Sequence, residues 1–276
     1  MVATKTLEQV GIEELTRAYN EGFSDYQITV AMSEEKLRGT LTRNGYRPES
    51  SVGLFDGELL VGFVLNGVRG NYCYDSGTAI IPSYRGNGYA HLLLEKTLSV
   101  LNDQDIHTWV LEVLCDNARA IKLYRSVGFT RQRGLNCYRI KAETLHQGDS
   151  GLTLSRSQTP QIPQGECQPS WQNDAQAIRD GKIPLWLIKK EEQEVGTLCY
   201  DRATGSIAQI FIQVEERRKG YAKEAIIEAA KLCQAEHLRL INIDDSYLPL
   251  NTLLLHMGFQ LFATQLEMTN TLRGKA

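Results

Sequence analysis

The chain has 276 residues, of which 42% are hydrophobic and 23% are charged, and its formal net charge is -3. This composition is typical of a globular protein, and the length favours two domains. The slight negative charge argues against broad nucleic-acid binding, and no apolar run approaches the roughly 18 residues that span a bilayer. The N-terminal sequence MVATKTLEQV lacks the apolar core of a signal peptide. We therefore expect a cytoplasmic protein with neither nucleic-acid nor membrane partners.

The cysteines indicate a reducing environment. Six of them are scattered along the chain without a C-x-x-C pair, at positions 73, 115, 137, 167, 199 and 233. Such a distribution favours reduced and mostly buried thiols over a disulfide framework or a zinc site. We expect no bound metal.

The first half of the chain alternates helical and strand patterns. Helical spacing covers 11–22 and 33–43, with Ser33 placed to cap the second helix. Further along, the patterns predict strands at 51–55, 58–65, 72–81, 108–114 and 135–140, a turn region at 66–71, and helices at 90–102 and 117–127. Strands that alternate with helices and contain a crossover predict an α/β or α+β fold with some parallel pairing.

A glycine-rich loop joins one of these strands to the next helix. It reads Arg85-Gly86-Asn87-Gly88-Tyr89-Ala90. The first N–H groups of a helix have no partner within the helix, and the helix dipole favours negative charge there. The two glycines let the backbone approach an anion closely, and Arg85 adds positive charge. The loop therefore predicts a phosphate-binding site.

The same loop pattern occurs a second time, as Arg217-Arg218-Lys219-Gly220-Tyr221-Ala222. The order of strands and helices from position 183 onward also matches the order in 51–140. Between the two copies, residues 142–180 are rich in Gln, Ser, Pro and Gly, which is typical of a linker. The sequence thus predicts a first domain at 1–145, a linker or irregular segment at 146–180, and a second domain at 181–276.

Three sequence blocks together resemble the GCN5-related N-acetyltransferase (GNAT) family. They are the strand, proline and R-x-x-G-x-A loop at 78–90, the strand LEVLCDN at 111–117, and the helix from Asn117 to Tyr124 followed by Gly128-Phe129. The resemblance covers 50–140 closely and 183–268 more loosely. It implies two tandem GNAT-like domains. Each would be a mixed, mostly antiparallel sheet with a splayed central parallel strand pair flanked by helices.

The resemblance also implies an activity. A protein of this family would transfer acetyl from acetyl-CoA, without a metal, to a primary amine of a small molecule or peptide, and would act as a monomer or homodimer. A main-chain N–H of Ala79 or Ile80 would stabilise the developing charge on the acetyl oxygen. The implied coenzyme-binding residues are Ala79, Ile80, Ile81, Arg85, Gly86, Asn87, Gly88, Tyr89, Ala90 and Asn117.

The resemblance implies catalytic roles for Tyr124 and Glu112. Tyr124 would protonate the departing CoA thiolate, although it also lies on an apolar helical face and could be an ordinary core residue. Glu112 interrupts an apolar strand, so it is either the general base, acting directly or through water, or a structural carboxylate held by backbone or arginine. Asn117 occupies an N-cap position as well as a coenzyme-binding one. The acceptor is expected to contact Phe23, Asp25, Tyr26 and Tyr46.

The second copy departs from this pattern. Leu254 stands where the first copy has Tyr124, and Asn242 stands where it has Glu112. Arg218 replaces the first loop glycine, and Glu215 and Glu216 place negative charge beside the second loop. We expect a degenerate domain with a structural role that binds CoA weakly or not at all. Two alternatives remain for the whole protein: an acyltransferase using a longer acyl-CoA, and a non-catalytic acyl-CoA-binding sensor or scaffold.

Overall fold

The computed structural model describes residues 2–25, 32–145, 151–158, 161–163 and 165–272. This part of the chain contains twelve strands and seven α-helices. The strands are β1 Val2–Thr6, β2 Val52–Asp56, β3 Leu59–Arg69, β4 Tyr72–Ile80, β5 Thr108–Leu114, β6 Thr130–Lys141, β7 Leu152–Arg156, β8 Leu185–Lys190, β9 Gln193–Asp201, β10 Ser206–Ile212, β11 His237–Asp244 and β12 Gln260–Thr271. The helices are α1 Ile12–Gly22, α2 Glu34–Asn44, α3 Tyr89–Asp103, α4 Ala118–Ser126, α5 Ala175–Asp180, α6 Tyr221–Leu232 and α7 Leu248–His256. No helix among the described residues is long and apolar enough to cross a membrane.

The chain forms two compact units whose boundaries interleave in sequence. Unit 1 comprises Met1–Gln132 and Leu266–Ala276, and unit 2 comprises Arg133–Gln265. Most of β6 therefore belongs to unit 2, and the second half of β12 belongs to unit 1. These spatial units differ from the division at 145 and 180, which was drawn from composition and from the repeated loop. Local sequence patterns carry no information about such remote pairing, and the sequence-based division stays a prediction about the two copies of the motif.

Unit 1 is built on the sheet β1-β2-β3-β4-β5, and the C-terminal half of β12 follows β5. Neighbouring strands from β1 to β4 are antiparallel, whereas β4 and β5 are parallel. Helices α3 and α4 cover one face around Trp109, and Met268 of β12 is fully buried in this same cluster. Helices α1 and α2 cover the other face around Phe63. The sheet is thus mixed, mostly antiparallel and flanked by helices, as predicted.

The helix α2 illustrates how local sequence sets the element boundaries. The Ser33 hydroxyl accepts a hydrogen bond from the Lys36 N–H at 3.3 Å, which satisfies one of the free donors at the helix start. The helix ends at Gly45, whose φ of 74° lies in the left-handed region that glycine tolerates best. Both ends agree with the helix predicted over 33–43.

The region 66–71, predicted as a glycine-rich turn, is instead mostly strand. Strand β3 continues to Arg69 before the chain reverses. Gly67 is needed there for close packing, because a Cβ atom at this position would lie 1.9 Å from the carbonyl oxygen of Asn44. A glycine that permits a close approach and a glycine that permits a turn look alike in sequence.

The two parallel strands of unit 1 diverge part of the way along. Pairing of β4 with β5 runs from Tyr72 to Asp75, and Asp75 opposite Leu111 is the last pair. Strand β4 stays paired with β3 as far as Ile80, with an irregularity at Ser76. Beyond Asp75 a gap therefore opens between β4 and β5, which is the predicted splayed pair.

Unit 2 repeats this architecture with the strand order β6-β11-β10-β9-β8-β7. Its parallel pair is β10 with β11, recorded at Ser206 opposite Arg239. Strand β10 has an irregularity at Ala208, between the register positions Ile207 and Gln209. Within the segment 146–180, expected to be irregular, strand β7 pairs with β8 and the short helix α5 packs through Ile178.

Candidate functional site

The glycine-rich loop of unit 1 leads from β4 into α3. Gly86 and Gly88 have φ values of 86° and 79°, and Gly88 is the N-cap of α3 without any side-chain cap. No hydrogen bond among the described residues uses the N–H groups of residues 86 to 90. These N–H groups therefore form a donor cluster at the positive end of a 15-residue helix.

The side chain of Arg85 is directed away from this donor cluster. Its Nε donates to the carbonyl oxygen of Ile80 at 2.8 Å, and Nη2 donates to that of Gly22 at 2.7 Å. Nη1 and Nη2 both contact the carboxylate of Asp25, at 2.6 and 3.0 Å. Arg85 thus ties the end of α1 to the end of β4. The charge that the sequence suggested for the anion site is here compensated by Asp25, whose pKa the Arg85 hydrogen bonds lower.

The gap between β4 and β5 has a polar group on each face of the sheet. Successive residues of a strand point to opposite faces, so Tyr74 and Asp75 diverge. Tyr74 shares its face with Ala79, which packs in the cluster of α1 and α2. Asp75 shares the opposite face with Trp109, which packs under α3 and α4. Two polar contacts flank the point where the strands separate.

The first contact holds Glu112. The Tyr74 hydroxyl donates to Glu112 Oε2 at 2.9 Å. Tyr74 is only 2% exposed, so its ring is fixed in the sheet. Glu112 is the first β5 residue after pairing with β4 ends, and it lies on the α1/α2 face. The carboxylate is thereby oriented at the edge of the gap.

The second contact involves Tyr124 of α4. Its hydroxyl lies 3.4 Å from Asp75 Oδ2, and its ring packs edge-on against Phe129 at a centroid distance of 5.6 Å. The Gly77 N–H and the Thr78 hydroxyl also donate to Asp75, at 2.9 and 2.6 Å. Burial raises the pKa of Asp75 to about 6, although these hydrogen bonds act in the opposite direction. Tyr124 is therefore both a packed aromatic and a residue with a polar contact at the gap.

The backbone of β4 offers an N–H on the side of the gap. The Ile81 N–H donates to the Val61 carbonyl at 2.9 Å. Because the donors of an antiparallel strand alternate between its two edges, the Ala79 N–H faces β3, and the Ile80 N–H faces the gap. The side chains of residues 79 to 81 are buried. Of the two expected donors, Ile80 is the one whose N–H faces the gap.

The remaining predicted residues serve local structure in the observed state. The Asn117 side chain accepts from the Ala120 N–H at 3.1 Å and caps α4. Asn87 Nδ2 lies 3.2 Å from the carbonyl oxygen of Tyr84 and so folds back onto its own loop. Tyr89 and Ala90 are half-buried in the first turn of α3.

The residues expected to contact the acceptor do not converge on one point. Phe23 packs against Tyr19 at a centroid distance of 4.8 Å, and Asp25 is paired with Arg85. Tyr46 lines a separate cavity of about 560 Å³, together with residues such as Leu7 and Leu41. Burial raises the pKa of Tyr46 to about 12. Tyr26 lies outside the described residues.

Unit 2 keeps the geometry of the loop. Arg217 Nε donates to the Ile212 carbonyl at 3.2 Å, as Arg85 does to Ile80, and its Nη1 pairs with Glu166. Gly220 caps α6 with a φ of 90°, and Arg218 adopts a φ of 61° where unit 1 has Gly86. The backbone conformation is thus retained although a side chain has replaced the glycine, which costs about 1 kcal/mol in this region.

Unit 2 also contains a cavity but lacks the polar groups of unit 1. The cavity measures about 620 Å³ and extends from the loop at Gly220 to Asn242. Asp75 lies five residues before Ile80, whose carbonyl oxygen accepts from Arg85. Ile207 lies five residues before Ile212, whose carbonyl oxygen accepts from Arg217, and so occupies the position of Asp75. Counting back from Gly258 places Leu254 where unit 1 has Tyr124. Glu216, one of the acids expected to repel an anion, is paired with Lys219 at 2.9 Å.

Sequence reasoning missed Tyr74 and Asp75. Both lie in the strand segment YCYDSGTAI, in which Asp75 is the only charged residue. That isolation was a usable signal, because a buried carboxylate is costly unless it has partners. No group of three or more His, Cys, Asp or Glu side chains in the described ranges could hold a metal ion.

Residues 12–129 match the sequence model of the Acetyltransferase (GNAT) family. The mycothiol acetyltransferase of Catenulispora acidiphila is 26% identical over 125 residues, which cover 43% of this chain and 40% of that protein. N-alpha-acetyltransferase 30 of Schizosaccharomyces pombe is 31% identical over 99 residues, which cover 33% of this chain and 64% of that protein. The chain therefore spans less than two thirds of the length of these curated relatives.

Two solved structures share the fold of the whole chain. The tandem GNAT protein from the clavulanic acid biosynthesis pathway has a TM-score of 0.72 at 11% identity, with 100% of both chains covered. The GCN5-related N-acetyltransferase from Sphaerobacter thermophilus has a TM-score of 0.70 at 12% identity, with 100% of this chain and 97% of that chain covered. Residues 12–129 thus resemble the acetyltransferase (GNAT) family, and the chain as a whole has the fold of a tandem GNAT protein.

Proposed function

We propose that unit 1 transfers an acetyl group from acetyl-CoA to a primary amine of a small molecule or peptide. The observation that carries this proposal is the placement of Glu112 and Tyr124 on opposite faces of the sheet at one gap. Direct transfer needs a base on the side where the amine attacks and an acid on the side where the thiolate leaves. The GNAT family generally uses acetyl-CoA, and the donor cluster at residues 86 to 90 suits its diphosphate.

Each residue then has one task. Glu112 takes a proton from the incoming ammonium, directly or through water, and passes it to solvent. The freed amine forms its bond to the carbonyl carbon, and the nitrogen then loses its second proton by the same route. The Ile80 N–H stabilises the negative charge on the carbonyl oxygen. As the carbon–sulfur bond breaks, Tyr124 gives its proton to the sulfur and later regains one from solvent. A free phenol is a weaker acid than a free thiol by about 1.5 pKa units, so this transfer is uphill by roughly 2 kcal/mol unless it is concerted.

Unit 2 is proposed not to catalyse this reaction. Asn242 and Leu254 replace Glu112 and Tyr124, the two groups proposed to act on protons in unit 1. The retained cavity of about 620 Å³ favours, for this unit alone, the non-catalytic ligand-binding alternative. We locate turnover in unit 1.

The test measures the release of free CoA thiol from acetyl-CoA across a panel of polyamines, amino acids, aminoglycosides and peptides. We expect release that depends on one class of amine. Tyr124→Phe should lower kcat by about 100-fold, a typical contribution of a general acid, while the Kd for CoA stays within about twofold. Glu112→Gln should lower kcat similarly with the preferred amine.

The matched control is Tyr138→Phe. Tyr138 is a buried tyrosine of unit 2, 2% exposed, whose hydroxyl contacts Asn251 at 2.8 Å. This variant removes the same atom from a residue outside unit 1 and should keep its kcat. Turnover with Tyr124→Phe equal to that of the unaltered protein would remove Tyr124 from the mechanism. CoA binding without turnover of any acceptor would favour the sensor function.

A further inference from the structure

The proposed reaction steps leave one buried carboxylate of unit 1 without a task. Asp75 is 6% exposed and lies at the last paired position of β4 and β5. We propose that Asp75 is a positioning residue that holds the Tyr124 hydroxyl at the gap between the two strands. The inference rests on the acid role proposed for Tyr124.

The contacts of Asp75 connect the strand to the helix α4. Two of its donors are close in sequence: the Gly77 N–H at 2.9 Å and the Thr78 hydroxyl at 2.6 Å. The third, the Tyr124 hydroxyl at 3.4 Å, comes from a helix 49 residues further along the chain. A contact of this length is weak as it stands, but catalytic hydrogen bonds are often long without substrate and shorten when the reactants bind.

Unit 2 argues against a purely structural role for Asp75. Its two local contacts could serve to shape the irregularity of β4 at Ser76. Unit 2 has the same irregularity, at Ala208 of β10, although Ile207 occupies the position of Asp75. The strand therefore adopts this shape without a carboxylate.

The two members of the contact are lost together in unit 2. Ile207 replaces Asp75, and Leu254 replaces Tyr124. By contrast, both units have an arginine that donates to the carbonyl oxygen at the end of the preceding strand, Arg85 in unit 1 and Arg217 in unit 2. Features that serve the fold are thus repeated, whereas the carboxylate and its phenol occur only where acid–base groups are present. Because burial of a carboxylate is unfavourable, its retention in unit 1 calls for a function beyond packing.

The geometry suggests how Asp75 assists the reaction. A phenol hydroxyl rotates freely about its carbon–oxygen bond, and an acceptor of fixed position limits that rotation. Asp75 touches neither substrate and acts only through Tyr124.

The experiment compares Asp75→Ile, Asp75→Asn, Tyr124→Phe and the double variant Asp75→Ile/Tyr124→Phe in the full chain. Isoleucine is the residue that unit 2 carries at this position, so the substitution has a precedent in the same fold. We expect Asp75→Ile to lower kcat by about 10-fold or more with an unchanged Kd for CoA. Asp75→Asn, whose Oδ1 can keep the Gly77 N–H while Nδ2 donates to the Tyr124 oxygen, should retain more of the activity. The double variant should be no slower than Tyr124→Phe alone, because the two residues act as one unit.

Each outcome decides the question. If Tyr124→Phe is slow and Asp75→Ile is as fast as the unaltered protein, the inference is wrong and the proposed function stands. If Tyr124→Phe keeps full activity, the proposed acid role fails first. If the fold-loss of kcat in the double variant equals the product of the two single losses, Asp75 acts independently of Tyr124, which also overturns the inference. Should Asp75→Ile fail to fold, Asp75→Ala gives the same comparison with a smaller side chain.

Discussion

Replacement of Asp75 by asparagine should make the protein more stable at neutral pH. Burial raises the pKa of this carboxyl from 3.8 to about 6, so the folded state binds a proton more tightly than the unfolded state does. The associated stability is fully present below pH 3.8 and is lost as the pH rises through 6. A difference of about 2 pKa units corresponds to about 3 kcal/mol of stability that the ionised carboxylate removes above pH 7.

Asparagine carries no charge, so the variant avoids this loss. The Gly77 N–H and the Thr78 hydroxyl can both still bond to an amide. We expect Asp75→Asn to raise the free energy of unfolding by up to about 3 kcal/mol at pH 8 and to change it little at pH 4. Urea unfolding at both pH values, followed by tryptophan fluorescence and circular dichroism, measures this difference.

Asp25→Asn is the matched control, because Arg85 lowers the pKa of Asp25 instead of raising it. Its stabilising contribution is present above the unfolded pKa and is lost as the pH falls, so this variant should be less stable at pH 8. If Asp75→Asn is less stable than the unaltered protein at pH 8, or equally more stable at both pH values, the reasoning about Asp75 is refuted.

Three further predictions concern stability and use the same urea measurement. Met268→Ala should cost about 2–5 kcal/mol, because Met268 is fully buried, whereas Leu261→Ala, at 47% exposure, should change stability by no more than about 0.5 kcal/mol; equal losses would contradict the assignment of β12 to the core of unit 1. Arg218→Gly should stabilise by about 0.5–1 kcal/mol by relieving a φ of 61°, and Arg218→Ala, which keeps a Cβ atom, should not. Ser33→Ala should cost about 1 kcal/mol through the lost cap of α2, and an unchanged midpoint would show that the cap is not needed.

The sequence predicted most of the elements of unit 1 because their signals are local. Ser33 caps α2, Gly57 turns the hairpin between β2 and β3 with a φ of 63°, and the run TWVLEVL forms β5. The predicted splayed pair is confirmed by the end of pairing at Asp75. Periodicity, capping and turn chemistry act over a few residues, so a reader of the sequence can recognise them.

The missed features depend on contacts between distant residues. The direction of Arg85 is decided by Asp25 and the Gly22 carbonyl, about 60 positions earlier in the chain. The sequence did not reveal the contact of Asp75 with Tyr124, because it forms only when the fold places α4 beside β4. Gly67 suggested a turn in the sequence, whereas in the structure it allows the Asn44 carbonyl oxygen to approach the strand closely. The roles of the candidate site residues stay predictions, whereas the fold that positions them is established.

The interleaved boundaries of the two units limit how the second copy of the motif can be removed from the chain. Met268 and Leu272 lie near the C-terminal end of the second copy, yet they belong to the core cluster of unit 1. A mutation that deleted the second copy from the gene would also remove these two side chains from the first. Substitutions in the second copy that spare Met268 and Leu272 are therefore compatible with an intact core of unit 1, whereas removal of the second copy is not.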